Sequence, residues 1–215
     1  MKNIFLTVLM GFCLGSAPLM GAPQKFEEDL HFYEILPEPP MGKVGDKIEV
    51  VEFFLYTCPH CYRFEPVVEK WLESKADDIE FTRIPALFGG AADMHGQAYY
   101  ALQSMGKIEE LHNAFFHAIH EEGNRLQTRE ALDSFIQSQG IDLEQFRQAM
   151  RSFAVVTKTN RAKSLLQRYG IRSVPSVVVD GRYKNGSGLD HDATVALIDH
   201  LAEKVRQARK AASSK

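Results

Sequence analysis

The chain has 215 residues, 45% hydrophobic and 25% charged, with 15 Gly, 9 Pro and 3 Cys. That profile excludes collagen-like, mucin-like and disordered classes, and the length suffices to bury a core without disulfide staples or a structural metal. Twenty-five Lys and Arg against 28 Asp and Glu give a net charge of −3, without the basic field typical of nucleic-acid binding, so no nucleic-acid partner is expected.

The N-terminus carries Lys2 and no acid, then an apolar run over 4–14 and the small residues Gly15, Ser16 and Ala17. This reads as a secretory signal peptide over 1–21, with cleavage after Gly21 because Pro23 blocks a cut directly before it. The run is shorter than the roughly 18 apolar residues of a membrane anchor. Phe12 precedes Cys13 where a lipoprotein motif places a small residue, so Cys13 is expected to leave with the leader. Losing Lys2 takes the net charge from −3 to −4 and leaves Cys58 and Cys61 as the cysteines of a soluble mature chain, in a compartment where disulfides persist.

Residues 48–56 are β-branched and aromatic and predict a strand buried on both faces, interrupted by Glu52. Tyr62, Val67, Val68, Trp71 and Leu72 recur at helical spacing and predict a helix over 59–74, with Pro59 in its first turn and a kink at Pro66. A second strand over 79–84 completes a β-α-β unit. From 88 to 161 apolar residues recur at three and four: Tyr99, Leu102, Met105; Leu111, Phe115, Ile119; Leu132, Phe135, Ile136; Phe146, Met150, Phe153. About four helices parted by Gly106, Gly123 and Gly140 fit this block. A helix over 156–169 stops at Gly170, a hairpin over 175–183 turns at Asp180-Gly181, and a last helix covers 193–209. Its basic end, Lys204 to Lys210, reads as a solvated last turn. The expected fold class is α/β, with an all-helical domain over 88–161 inserted into a domain made of 22–87 and 162–215.

Cys58-Pro59-His60-Cys61 joins the end of the first strand to the start of the first helix. Residues three apart on a helical turn face the same way, which is compatible with a disulfide. At a helix N-terminus Cys58 sits by free backbone N–H groups and the positive end of the dipole, which stabilise its thiolate; a protonated His60 adds to this. A stabilised thiolate favours the reduced dithiol, so the disulfide is a strong oxidant, with Cys61 as the buried resolving partner. An inert disulfide closing so short a loop would contribute little to stability. Zinc lacks further Cys ligands, and c-type haem would require His where Tyr62 stands.

The stretch Glu52-Phe53-Phe54-Leu55-Tyr56-Thr57-Cys58-Pro59-His60-Cys61-Tyr62-Arg63-Phe64-Glu65 resembles the active site of the DsbA family of periplasmic thiol:disulfide oxidoreductases, and Phe88-Gly89-Gly90 and Val174-Pro175 match in order. The resemblance implies a thioredoxin fold in which Cys58 attacks, Cys61 resolves, and Val174 with a cis Pro175 faces the dithiol. It also implies a buried Glu52, paired with Arg83 where the family often has Lys, and Glu65 as a further tuning group, an exposed helical Glu being the alternative at that position. Phe64 and Val68 are expected in a groove for unfolded peptide. The activity implied is donation of the Cys58–Cys61 disulfide to reduced, newly exported proteins by a periplasmic monomer. No cofactor is expected beyond that disulfide, and a quinone-linked membrane partner resembling DsbB is expected to restore it. A disulfide isomerase or reductase and a peptide-binding chaperone are the competing functions. His112, His117 and His120 read as solvent-facing rather than as a metal site, and Gly186-Ser187-Gly188 as a loop.

Overall fold

The computed structural model describes residues 25–36 and 46–214. The leader, its cleavage point after Gly21, and Cys13 lie outside the described residues. The elements follow as β1 (Phe32–Glu34), β2 (Ile48–Phe54), α1 (Pro59–Leu72), β3 (Ile79–Pro85), α2 (Ala91–Ser104), α3 (Ile108–His120), α4 (Arg129–Ser138), α5 (Leu143–Arg151), α6 (Phe153–Arg168), β4 (Ser176–Val179), β5 (Tyr183–Asn185) and α7 (His191–Ser213).

The strands form one sheet in the order β1-β5-β4-β2-β3, with β2 and β3 parallel and the other neighbours antiparallel. Central β2 is apolar on nearly every residue because both of its faces are covered. Ile48 and Val50 pack with Phe64, Val68 and Trp71 of α1 and with Leu197, Ile198 and Leu201 of α7. Val51 and Phe53 join the core shared with the helical block α2–α6. The β-α-β half and the hairpin half thus share one sheet, and the helical block enters between β3 and β4, the α/β arrangement expected from the pattern.

Local chemistry sets the ends of these helices. Thr128, Asp142, Ser152 and Asp190 each accept a backbone N–H three residues on, capping α4, α5, α6 and α7, and each such cap stabilises by about 1 kcal/mol. Gly106 and Gly170 follow α2 and α6 with φ of 70° and 59°, a left-handed conformation that a Cβ disfavours. There the Lys107 and Ile171 N–H groups reach back to the carbonyls of Leu102 and Leu166, both at 2.8 Å.

Four expectations change. The edge strand β1 pairs with β5 and has no counterpart in the sequence reading. Helix α6 begins at Phe153 behind the Ser152 cap, so the expected boundary at 161 falls inside a continuous helix. Phe153 is 87% exposed rather than core, because α5 ends at Arg151 and the periodicity that runs through Phe146 and Met150 restarts at the new cap. The basic end of α7 is tied down rather than merely solvated. Arg206 binds both carboxylate oxygens of Asp78 at 2.7 Å, Arg209 donates to Asp180 at 2.7 Å, and Lys204 lies over the Tyr183 ring at 4.7 Å.

Candidate active site

The turn after β2 carries the two cysteines. Cys58 is the N-cap residue of α1 with extended backbone (φ −89°, ψ 116°) and no side-chain cap bond, and Pro59 starts the helix, a position that loses nothing by lacking an N–H. Both cysteines are free thiols; Cys58 is half-buried and Cys61 buried. The Cys61 thiol donates to the Cys58 sulfur, and this bond is the largest cause holding Cys58 down at about 6. Burial opposes it, while the backbone N–H groups of Cys61 and His60 and the His60 charge support it. The same sulfur contact, then burial, pushes Cys61 far up. The pair is thereby set up as one thiolate and one thiol, the less buried sulfur carrying the charge.

The Val174–Pro175 peptide bond is cis, and the Val174 carbonyl oxygen lies 3.5 Å from Cys58 Sγ, within reach of its proton when Cys58 is a thiol. The loop before β4 therefore faces the Cys58 sulfur across the chain. His60 is exposed, with Nδ1 3.2 Å from the Arg63 guanidinium.

Beneath the dithiol lies a buried charged network. Parallel pairing of β2 and β3 sets Glu52 opposite Arg83, with Arg83 Nε 3.7 Å from Glu52 Oε2. The guanidinium makes its closer contact with Glu65. Glu65 is 3% exposed, so it belongs to this network and is not an exposed helical residue. His112 Nε2 lies 3.4 Å from Glu65 Oε2, and its Nδ1 is 2.8 Å from the Tyr56 hydroxyl. The two carboxyls separate in character. Burial, then the neighbouring Glu65 charge, raises Glu52 to about 8 against the opposing pull of Arg83. Burial also pushes Glu65 upward, but His112 and Arg83 outweigh it and hold Glu65 below its ordinary value. The Glu52 charge is felt at Cys61, which connects the network to the resolving thiol.

Cys58, Cys61, Pro59, His60, Val174, Pro175, Glu52, Arg83 and Glu65 thus converge on one region. Phe64 and Val68 do not: both are fully buried in the core beside α7. Helical spacing explains this, since Cys61, Phe64, Glu65, Val68 and Trp71 form the buried stripe of α1, facing the sheet rather than a groove. His112 is a correction in the other direction, buried at 7% exposure. Its position in the stripe Ile108, Leu111, His112, Phe115, Phe116, Ile119 is the signal that could have placed it there. His120 stacks on Tyr62 at 4.8 Å, while His117 is 57% exposed and faces solvent as expected.

A sheet carrying a Cys-x-x-Cys pair at a helix N-terminus, opposed by a cis-Pro loop, defines a thioredoxin-fold protein built for thiol–disulfide exchange. Residues 49–201 match the family model described as DSBA-like thioredoxin domain. The chain is 40% identical over 215 residues to the thiol:disulfide interchange protein DsbA of Pseudomonas aeruginosa, covering 98% of this chain and 100% of that one. It is 38% identical to that of Azotobacter vinelandii, covering 97% and 99%. The crystal structure of P. aeruginosa DsbA superposes with a TM-score of 0.80 at 40% identity, over 86% of this chain and 97% of that chain. The chain belongs to the DsbA family and is a disulfide oxidoreductase.

Proposed function

We propose that the enzyme acts as a dithiol oxidase, donating the Cys58–Cys61 disulfide to reduced, newly exported proteins. The carrying observation is the placement of Cys58 at the N-cap of α1 with Cys61 buried beside it, a setting that holds the Cys58 thiol down at about 6. A low-pKa thiol is a good leaving group, and stabilising it stabilises the reduced enzyme, so the disulfide transfers outward.

A substrate thiolate attacks Cys58 Sγ. The Cys58–Cys61 bond breaks, a mixed disulfide forms on Cys58, and Cys61 leaves and takes up a proton. A second substrate thiolate then attacks the substrate sulfur of the mixed disulfide, and Cys58 departs as the stabilised thiolate. Two electrons pass from the substrate thiols to the enzyme, so the cysteine pair itself is the redox group and no separate cofactor takes part. His60 and the N–H groups of the first turn hold the thiolate, and Val174 and Pro175 position the incoming chain. Glu52, Arg83 and Glu65 set the proton balance around Cys61.

The leader expected over 1–21 supports a periplasmic location. A net gain of two electrons per turnover calls for a reoxidant, for which a quinone-linked membrane partner resembling DsbB is the proposed class, and the working unit is a monomer. The test is oxidation of a reduced, unfolded protein containing one cysteine pair. Wild type is expected to form the bond stoichiometrically and Cys58→Ala to form none; retained oxidation by Cys58→Ala contradicts the mechanism.

A further inference from the structure

Two cavities open beside the Cys58–Cys61 turn, and both are cationic. One, of about 370 Å³, runs from His60 past Arg172 and Pro175 to Lys184 and His191, and among the described residues no carboxylate belongs to its lining. The other, of about 390 Å³, lies against Thr57 and Pro59 and carries His120 and Arg125, again with no carboxylate among the described residues of the lining. The chain as a whole is acidic at −3, so the face around the dithiol carries the opposite sign.

Of the two permanent cations in the first cavity, Lys184 is tied to the wall, while Arg172 is exposed and lies at the border with a neighbouring cavity that holds Asp93 and Lys163, themselves paired at 2.6 Å. Lys184 Nζ donates to the carbonyls of Tyr169 and Gly170 at 3.2 and 3.1 Å, which fixes the ammonium in the wall. Among the described residues neither Lys184 nor Arg172 has a carboxylate partner. Burial, then the Arg172 charge, holds Lys184 below its ordinary range. Burial, then Arg63 and His60, holds His191 below its ordinary value against the opposing pull of Asp190 and Asp192, so His191 adds an imidazole rather than a fixed charge to the wall. Asp190 and Asp192 act on His191 but do not line the cavity. Asp190 caps α7 by accepting the Ala193 N–H at 2.7 Å, and Asp192 sits in the first turn of that helix. Glu34 pairs with Arg182 at 3.5 Å, Glu122 with His117 at 3.2 Å, and Glu121 bonds Tyr62.

We infer that the cavity between His60 and Lys184 is a subsite for carboxylate side chains, so that the preferred substrates are reduced polypeptides with Asp or Glu next to the reacting cysteine. The inference rests on the oxidase reading above. A cysteine bound to Cys58 lies against the Val174 carbonyl, 3.5 Å from Cys58 Sγ, and the flanking substrate residues pass the Arg172 guanidinium, whose planar fork pairs with a carboxylate. Acidic flanks raise a free thiol's own pKa and make it a poorer nucleophile in solution. The cationic wall reverses that order by drawing in the flank and favouring the substrate thiolate.

The test uses the oxidised full-length mature enzyme and three dithiol peptides differing only in acidic, uncharged or basic residues beside the cysteines. Each oxidation rate is divided by the same peptide's rate with a small uncharged disulfide, which removes its intrinsic reactivity. The acidic peptide is expected to exceed the basic one by on the order of tenfold at low salt, an advantage that collapses at about 0.5 M salt. Arg172→Glu should cut that ratio several-fold. Normalised rates that are equal, or fastest for the basic peptide, overturn the subsite while leaving the oxidase reading intact, as does a ratio that Arg172→Glu does not move. Oxidation of none of the three overturns the oxidase reading and the subsite with it.

Discussion

Glu52 and Glu65 share one guanidinium in the same buried network, yet replacing each by Gln should change stability in opposite directions at pH 7. Glu65 is the ionised member: Glu65→Gln leaves Arg83, 15% exposed, with only Glu52 beside it at 3.7 Å, a carboxyl that can offset the charge only by ionising against its own burial. Breaking such a pair costs about 3–5 kcal/mol, and a unit pair at ~4 Å in an effective dielectric of ~20 gives about 4 kcal/mol. Because Glu65 is held below its ordinary value, its contribution is present above that value and is lost as the pH falls through the folded one. Glu52 behaves inversely. Its folded carboxyl keeps its proton up to about 8 whereas the unfolded one ionises near 4.5, so wild type loses stability as the pH climbs from 4.5 to 8. At about 1.4 kcal/mol per pH unit the ceiling is about 5 kcal/mol. Glu52→Gln mimics the protonated acid and removes this loss. It should match wild type near pH 4, become more stable through neutral pH, and level off above pH 8. Urea unfolding across this pH range, in a Cys58→Ser, Cys61→Ser background that removes thiol titration, reads both effects. Equal destabilisation by the two variants at pH 7 would mean that Glu52 is ionised and held by Arg83, which refutes the reasoning.

Further outcomes are open to direct measurement. Ultraviolet thiolate absorbance of the reduced enzyme should titrate with a midpoint near 6, and Cys61→Ala should raise it toward the ordinary 9.0, since the Cys61 bond is its largest cause; an unmoved midpoint would shift the credit to the backbone N–H groups and His60. Phe64→Ala should cost about 3–5 kcal/mol as a core truncation while the folded enzyme keeps its substrate KM; a raised KM at normal stability would restore Phe64 to a groove. Arg206→Ala should cost about 1 kcal/mol by loss of its forked bond to Asp78, a pair discounted for its exposure, whereas a change of similar size in Lys210→Ala would show that tail charge in general is what matters.

The main frame was legible because its signals are local. A run of β-branched and aromatic residues ending in Cys-Pro-His-Cys can hardly be anything but a buried strand feeding a helix, whereas Val174-Pro175 was legible as the opposing loop only through the family resemblance. Residues whose role depends on partners far away were harder. Glu65 and His112 lie on the buried stripes of α1 and α3, but whether a polar residue in such a stripe is tolerated depends on Arg83 and Tyr56 supplying partners, which periodicity cannot show. Phe64 and Val68 were misplaced for the complementary reason: apolar residues near a reactive turn suggest a binding surface, whereas their spacing from Cys61 and Trp71 directs them into the sheet. Strand β1 has three residues and is defined by pairing with β5, a contact across more than half the chain. The cationic cavity is likewise assembled from α1, the loop before β4, β5 and α7, which contribute His60, Arg172, Lys184 and His191 one at a time.

The account's central claim is that stabilising the Cys58 thiolate makes the disulfide an oxidant, and the redox equilibrium of the Cys58–Cys61 pair against glutathione tests it most directly. The account predicts a potential at the oxidising end of the thioredoxin-fold range, above about −180 mV. A value near about −270 mV, at the reducing end of that range, would contradict it and mark the enzyme as a reductase.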